Sequence, residues 1–167
     1  MKHELSVNVV ELRRVLATQR RIRRTALIDD LAVAGTRVPP DEAITVELLL
    51  ESVSDGVIAD GTVTAPWASE CRRCLDAVRG ELRVEVHELF STAADSDETY
   101  PIGGDEIDLE PLVRDALFLS LPAAPLCGQD CVGPAPHRYP TAVEGADQAG
   151  DPRWAALSEL HFEGDDG

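Results

Sequence analysis

The chain has 167 residues, of which 44% are hydrophobic, and a formal net charge of −16. This length and composition are typical of one globular domain, so we expect a single domain over residues 1–167. No apolar stretch approaches the roughly 20 residues that cross a bilayer, and no charged segment followed by an apolar run opens the chain. Neither a membrane-spanning nor a secreted protein is therefore expected, and we predict a cytoplasmic location.

The charge is unevenly distributed along the chain. Residues 1–24 form a basic N-terminal segment with a net charge of +5, whereas the other 143 residues carry a net charge of −21. Guanidinium groups match phosphate oxygens bidentately, so the arginines of this segment are candidate contacts with RNA backbone. They are Arg13, Arg14, Arg20, Arg21, Arg23 and Arg24. Two other interpretations stay open, because such a segment can also dock on its own acidic body or form a solvated face.

The first predicted elements are a short strand and a helix. Apolar and polar residues alternate over Leu5–Val9, which predicts a strand. Over Val10–Thr18 the period changes, and the apolar residues fall on one helical face. The next stretch, Arg20–Leu27, fits either a loop or an exposed strand.

The centre of the chain predicts antiparallel strands. Apolar and polar residues alternate over Ile44–Glu51, and Asp55-Gly56 is a hairpin signal. A second strand over Val57–Trp67 contains Gly61, which predicts a bulge or a close approach of another backbone. A third strand is predicted over Leu82–Phe90.

Beyond the strands, the sequence predicts a loop, one long helix and a flexible end. Ser91–Asp105 is polar and acidic, and we expect a flexible loop there. Apolar residues then recur at helical spacing over Asp108–Leu121, with Asp108 as a cap. Residues 133–150 lack periodicity and predict a flexible loop, Asp151-Pro152 begins a further helix, and residues 163–167 form an acidic tail.

Two close pairs of cysteines, Cys71 with Cys74 and Cys127 with Cys131, are the most informative motif. Thiols two or three residues apart can bind one ion from a single turn, and two such pairs supply the four sulfurs of a tetrahedral zinc site. A closed site of this kind has no open coordination position for a substrate. We therefore expect a structural zinc ion that joins two parts of the fold.

Other roles for these cysteines stay open. A redox dithiol formed by Cys71 and Cys74 is one alternative, although that motif normally lies beside a βαβ unit. Free, half-buried thiols are another, because the gap of 52 residues between the pairs is longer than in a compact zinc ribbon. Disulfides are not expected in a cytosolic protein, where thiols stay reduced.

Together these elements predict an α+β fold, in which a small antiparallel β-sheet packs against the core helix Asp108–Leu121. Further helices are expected at both ends of this domain, and the cysteine pairs hold the core helix and the sheet together. The sequence has no glycine-rich phosphate loop, metalloprotease helix or nucleophile elbow, and its four histidines are scattered. We therefore expect no catalytic site and no enzyme.

The order of several short motifs resembles the YceD family of large ribosomal RNA subunit accumulation proteins. The motifs are Glu70–Leu75 after a strand, Glu106–Leu109 at the start of a helix, Leu121–Cys127 followed by Cys131, and Asp151–Leu157. Members of this family are linked to accumulation or processing of 23S ribosomal RNA and to assembly of the large subunit. No catalytic activity is established for them. One departure is that related sequences often have further cysteines after the second pair, whereas residues 133–140 have none.

The resemblance implies a non-enzymatic ribosome biogenesis factor that binds precursor 23S rRNA, an assembly intermediate of the large subunit, or a basic ribosomal protein. Two other functions remain as alternatives. One is a thiol-based redox protein that uses Cys71 and Cys74. The other is an acidic chaperone that shields a basic ribosomal protein without contacting RNA.

Overall fold

Strands dominate the part of the chain that a computed structural model describes, which comprises residues 4–93, 99–135 and 137–138. Of these residues, 48% lie in strands and 12% in helices. The chain divides after Cys131, and the fold below is that of the described residues up to this point. The single domain over residues 1–167 stays a prediction. Most of the loop predicted over 133–150, the helix from Asp151 and the acidic tail lie outside the described residues.

Eleven elements follow one another within the described residues. The strands are β1 (Ser6–Asn8), β2 (Gln19–Ala26), β3 (Ala32–Val33), β4 (Thr36–Arg37), β5 (Ile44–Val53), β6 (Gly56–Glu70), β7 (Ala77–Ser91), β8 (Tyr100–Gly103) and β9 (Glu106–Asp108). The helices are α1 (Val10–Arg13), between β1 and β2, and α2 (Glu110–Ser120), after β9. Neither helix has the length and apolar character that crossing a membrane requires.

A long hairpin formed by β6 and β7 organises the sheet. Its strands of 15 residues pair antiparallel from Gly56 and Ser91 at one end to Glu70 and Ala77 at the other. The free edge of β6 pairs with β5 along its first part and with β4 at Ala68. β5 pairs in turn with β2. The hairpin thus runs from the core at one end to the first cysteine pair at the other.

The sheet continues on the other side of the hairpin and curls into a half-barrel. β7 pairs with β8 in parallel, β8 pairs with β9 antiparallel, and β9 pairs with β1 antiparallel. Long strands twist and coil because of their right-handed backbone preference, so a sheet of this width closes partly on itself.

The core lies on one face of the curled sheet, where apolar side chains of neighbouring strands stand opposite each other. Val46 is opposite Val63 and Leu50 is opposite Ala59, and all four are buried. Because successive side chains of a strand point to opposite faces, the polar residues between them lie on the outer face. Phe90 on β7 is the largest fully buried side chain among the described residues, and burial of such a side chain stabilises the fold by roughly 1.5–3 kcal/mol.

Gly61 lets β5 approach β6 closely. A Cβ atom built on Gly61 would lie 2.2 Å from the carbonyl oxygen of Glu47 and 3.0 Å from the Cα of Leu48, and the φ angle of Gly61 is +154°. A larger residue would therefore push the two strands apart. The predicted close approach at Gly61 is confirmed.

Helix α2 covers one part of the core. The Asp108 carboxylate accepts a hydrogen bond from the backbone N–H of Glu110 at 2.9 Å, which satisfies one amide of the first turn. Leu112, Val113 and Leu117 recur on one face of the helix and are buried, and α2 packs against β7 and β6. The helix predicted over Asp108–Leu121 is therefore present, with slightly shorter bounds.

The predicted fold class, α+β with a small sheet, a core helix and flanking helices, is wrong. The described residues form a mostly β fold with only two helices, one of which has four residues. The error arises at the ends of the strands, where β6 continues to Glu70 and β7 already begins at Ala77. Over the first part of β7 the residues alternate between exposed and half-buried. None of them is a buried apolar residue, so the sequence gives no strand signal there.

Two smaller predictions are wrong, and the structure decides between the alternatives of a third. The loop predicted over Ser91–Asp105 contains β8, and the helix predicted over Val10–Thr18 ends at Arg13. Ala17 has a φ angle of +61°, which is incompatible with a continuing right-handed helix. Of the two alternatives for Arg20–Leu27, the strand is correct, since β2 spans Gln19–Ala26.

Candidate metal centre and basic surfaces

The turn between β6 and β7 presents the first cysteine pair. The backbone N–H of Cys71 donates to the carbonyl of Asp76 at 2.7 Å, and that of Leu75 donates to the carbonyl of Cys71 at 2.9 Å. Leu75 has a φ angle of +64°, which is uncommon for a residue other than glycine. This tight turn places the side chains of Cys71 and Cys74 on the same side of the chain.

The second pair reaches this turn from the segment that follows α2. The backbone N–H of Arg72 donates to the carbonyl of Pro125 at 3.0 Å, so the segment is bound directly to the turn. The buried hydroxyl of Thr36 donates to the carbonyl of Pro122 at 2.6 Å and also lies 3.0 Å from the Ser69 hydroxyl. Backbone and side-chain hydrogen bonds therefore hold the segment that precedes the second cysteine pair against the end of the hairpin that carries the first pair.

The four cysteine sulfurs form a compact cluster. They all lie within 4.8 Å of one another. Cys71 Sγ is 3.7 Å from Cys131 Sγ, and Cys74 Sγ is 3.7 Å from Cys127 Sγ. A tetrahedron with Zn–S bonds of about 2.3 Å has edges of about 3.8 Å. The donor atoms and their spacing fit a zinc ion, whereas none of the four cysteines forms a disulfide.

The cluster extends from the interior to the surface. Cys71 and Cys131 are buried, Cys74 is half-buried and Cys127 is exposed. A metal ion held by all four would be shielded by protein on one side and would lie close to solvent on the other. Such a position suits a structural ion, because the protein supplies every ligand and solvent contributes none.

The thiols have strongly divergent acidities. A hydrogen bond from the backbone of Cys74 lowers the pKa of the Cys71 thiol to about 6, against the opposing effect of burial. For Cys74, a hydrogen bond from the backbone of Asp76 lowers the pKa, but burial and the neighbouring thiols outweigh it and the pKa is raised. The pKa of Cys127 is also raised, chiefly by the Cys131 side chain. Four neighbouring thiols cannot all ionise without a cation between them, and a divalent ion supplies that charge.

The six predicted RNA-contacting arginines do not share one surface. Arg13 and Arg14 are exposed on and just after α1, and Arg14 pairs with Glu11 at 2.9 Å. The other four lie on β2, where successive side chains point to opposite faces. Arg21 and Arg23 are exposed on the outer face, whereas Arg20 and Arg24 are half-buried on the side of Ile22, which packs against the core.

Three of the β2 arginines have partners within the chain, and one of them, Arg24, donates to the backbone carbonyl of Arg23 at 3.0 Å. A terminal nitrogen of Arg20 donates to the backbone carbonyl of Asn8, and its Nε is buried without a hydrogen-bond partner among the described residues. Arg23 lies 3.4 Å from the Glu47 carboxylate, with both side chains largely exposed. Arg20 therefore has a structural role. The ion pair between Arg23 and Glu47 is exposed and weak, so Arg23 can exchange Glu47 for another anion.

Sequence reasoning missed a second group of arginines close to the cysteines. Arg37, Arg72 and Arg79 line a cavity of about 770 Å³. Two of them come from segments that gave no strand signal, because β4 has two residues and the first residues of β7 are exposed or half-buried. The two arginines between Cys71 and Cys74 were the one available signal.

The chain is similar in sequence to one protein family and to several individual proteins. The family described as large ribosomal RNA subunit accumulation protein YceD matches residues 59–161, which include both cysteine pairs but not β2. Uncharacterised proteins of Mycobacterium bovis and Mycobacterium tuberculosis are each 41% identical to this chain over 124 residues, covering 68% of it. An uncharacterised protein of Mycobacterium leprae is 36% identical over 127 residues, covering 70%.

The similarity covers 58–60% of the length of these relatives, so the chain corresponds to about three-fifths of each. No solved structure matches it. The family match extends over more than half of the chain and begins within β6, at Ala59. The resemblance inferred from the short motifs is thereby confirmed, and the chain belongs to the YceD family.

Proposed function

We propose that this protein is a non-enzymatic factor that supports accumulation or processing of 23S ribosomal RNA and assembly of the large ribosomal subunit in the cytoplasm. The observation that carries this proposal is the family match over residues 59–161, since the family is named for accumulation of that RNA and not for a reaction. The candidate partners are precursor 23S rRNA, an assembly intermediate of the large subunit, or a basic ribosomal protein.

A structural zinc ion is part of the proposal. Cys71, Cys74, Cys127 and Cys131 would hold it, and the ion would supply a cross-link without contributing to a reaction. The fit of four sulfurs to a tetrahedron and the closed donor set support this assignment. The cross-link would fasten the far end of the β6–β7 hairpin to the segment that follows α2.

RNA contact through the N-terminal arginines is a separate part of the proposal. Arg21 and Arg23 are the better candidates within β2, because they are exposed on one face of the sheet. Arg13 and Arg14 are also exposed, near α1. Arg20 and Arg24 are less suited, since they are half-buried and Arg20 binds a backbone carbonyl.

A thiol-based redox function is favoured by one observation, the lowered pKa of Cys71. Thiolates attack disulfides, so a pKa of about 6 would suit a nucleophile. However, Cys71 is completely buried, and a protein disulfide has no path to its sulfur. A metal ligand needs no access for a second protein, and a low pKa favours the thiolate that binds the ion, so the metal interpretation accounts for both observations.

The proposal is tested by deleting the gene and measuring mature large-subunit rRNA relative to small-subunit rRNA in growing cells. A selective loss of the large-subunit RNA that is restored by the intact gene is expected. Tagged protein purified from the same cells should retain large-subunit RNA or proteins. An unchanged rRNA ratio would contradict the proposal, and recovery of basic ribosomal proteins without any RNA would favour the acidic-chaperone alternative.

A further inference from the structure

We propose that the cavity beside the cysteine cluster is a binding site for the phosphate groups of single-stranded RNA, formed by Arg37, Arg72 and Arg79. The inference rests on the proposed function and adds a binding surface to it. The site lies at the far end of the β6–β7 hairpin, away from the β2 arginines.

Strand register brings two of these arginines together. Arg37 on β4 is opposite Ala68 on β6, and Ala68 is in turn opposite Arg79 on β7. Residues directly opposite each other in antiparallel strands point to the same face, and neighbouring strands are about 4.8 Å apart. Arg37 and Arg79 therefore flank a small residue on one face, with their Cα atoms about 10 Å apart.

The third arginine reaches the cavity from the cysteine turn. Arg72 follows Cys71 directly, and its backbone hydrogen bond to Pro125 fixes its position relative to the opposite wall. The three guanidinium groups thus belong to three different segments of the chain. Arginines that converge from separate segments can contact two oxygens of one phosphate, or two successive phosphates.

Arginines outnumber acidic residues in the lining of the cavity. Among its lining residues three are arginines and one, Glu70, is acidic. Within the described residues, Arg37 and Arg72 form no ion pair, and Arg79 pairs with Glu42 at 2.8 Å. The side chains of that pair are 71% and 38% exposed, so the pair contributes little and can exchange for a phosphate.

The remaining lining residues leave space for a ligand. Seven of its fifteen lining residues are small, and they are Ala34, Gly35, Ala68, Ser69, Ala77, Ala123 and Ala124. A volume of about 770 Å³ lies within the range that holds ligands larger than a single ion. The lining contains no aromatic side chain on which a base could stack, so we expect contacts with the backbone and little dependence on base sequence.

The overall charge of the chain favours a localised contact. With a net charge of −16, most of the surface repels a polyanion. RNA can therefore approach only where arginines outnumber acids, as they do in this cavity. An acidic peptide would meet the same guanidinium groups, and the experiment must separate the two ligands.

The test uses the full chain and a fluorescent single-stranded RNA, with binding followed by anisotropy over a range of salt concentrations. The variant Arg37→Gln/Arg72→Gln/Arg79→Gln should bind RNA at least about tenfold more weakly, because one hydrogen bond to a charged group already contributes about this factor. The slope of log affinity against log salt should decrease by about 0.7 for each phosphate that the variant no longer neutralises. Arg73→Gln is the matched control for each single variant, since Arg73 is exposed and adjacent to Arg72 in the same turn but does not line the cavity.

Four outcomes would overturn the inference. One is unchanged RNA affinity in the triple variant with an unchanged melting temperature. Another is equal weakening by Arg73→Gln and Arg37→Gln, which would indicate a general charge effect. The third is tighter binding of a poly-glutamate peptide than of RNA, and the fourth is no RNA binding by the intact chain. None of these would decide the proposed function, which is tested separately by the rRNA ratio in cells.

Discussion

Cys71 and Cys131 are 60 residues apart in the sequence, yet their sulfurs lie 3.7 Å from each other in the fold. The contact joins one member of each cysteine pair, and a second contact of the same length joins Cys74 to Cys127. Because both of these contacts run between the pairs, the cluster holds two segments of the chain together. A metal ion at its centre would therefore stabilise tertiary structure and not just a local turn.

The purified, reduced protein should contain about one zinc ion per chain, because its four thiolates form a single closed site. Removing the ion with a chelator should lower the melting temperature without unfolding the chain completely, since the apolar core does not depend on the metal. Elemental analysis and thermal unfolding provide the measurements. Absence of metal, with all four thiols titrating freely in the native protein, would contradict this prediction.

Metal affinity should depend steeply on pH. Without metal, the raised pKa values of Cys74 and Cys127 keep both thiols protonated at neutral pH, so metal binding must release their protons. Affinity should therefore rise with pH, by at least about a hundredfold per unit, because at least these two protons are released. Below pH 6 the Cys71 thiol, with a pKa of about 6, adds a further proton and the dependence steepens. Competition with a colorimetric chelator at several pH values measures this slope, and a flat profile would exclude thiolate ligation.

The variant Cys71→Ser should lose metal and stability together. Removal of one of four ligands opens the site, and the buried hydroxyl that replaces the thiol has no thiolate charge to offer the ion. Neither the variant nor the intact, metal-free chain should catalyse thiol–disulfide exchange, because the sulfur of Cys71 is buried. Robust exchange by the metal-free chain that disappears in the variant would favour the redox alternative.

The variant Gly61→Ala should destabilise the sheet by roughly 2–4 kcal/mol, because its methyl group would overlap the Glu47 carbonyl. Gly103→Ala provides the control, since Gly103 also lies in a strand and a Cβ there would be in ordinary contact, 3.8 Å from the carbonyl oxygen of Glu106. Denaturant unfolding of both variants gives the comparison. Equal stabilities would show that β5 and β6 can separate at this point without cost.

The β2 arginines should separate into two classes. Replacing Arg21 and Arg23 by Ala should weaken RNA binding and flatten its salt dependence with little loss of stability, because both are exposed. Replacing Arg20 by Ala should lower stability by about 1 kcal/mol, because its guanidinium binds the Asn8 carbonyl. RNA affinity and unfolding free energy are to be measured on the same variants. A stability loss without an RNA effect in the Arg21/Arg23 variant would indicate that these residues dock on their own chain.

The sequence predicts the elements whose residues face the core. The hairpin after Val53, the close approach at Gly61 and the helix carrying Leu112 and Leu117 all follow from apolar periodicity or glycine placement. The grouping of the four cysteines likewise follows from their arrangement as two close pairs. The sequence does not show the full length of the β6–β7 hairpin, although β7 lies between the two pairs.

The sequence does not predict the elements that depend on neighbours. The start of β7, from Ala77, is a strand because β6 lies beside it along its whole length, and its own residues are exposed or half-buried. β8 is a strand of four residues that pairs in parallel with the end of β7, a long-range pairing with no local signal. The arginine-lined cavity depends on both the β4–β6 and β6–β7 registers, so it could not be located before they were known.

The proximity of Cys71 and Cys131 also bears on the unfolded chain. A metal ion that joins these residues closes a loop of about 60 residues, and a permanent cross-link of that length would lower the entropy of the unfolded chain by the equivalent of about 4 kcal/mol. Unlike a disulfide, this cross-link forms without an oxidant and is lost when the metal is removed. The lifetime of the folded protein would then follow the availability of zinc, since an ion that dissociates returns that entropy to the unfolded state.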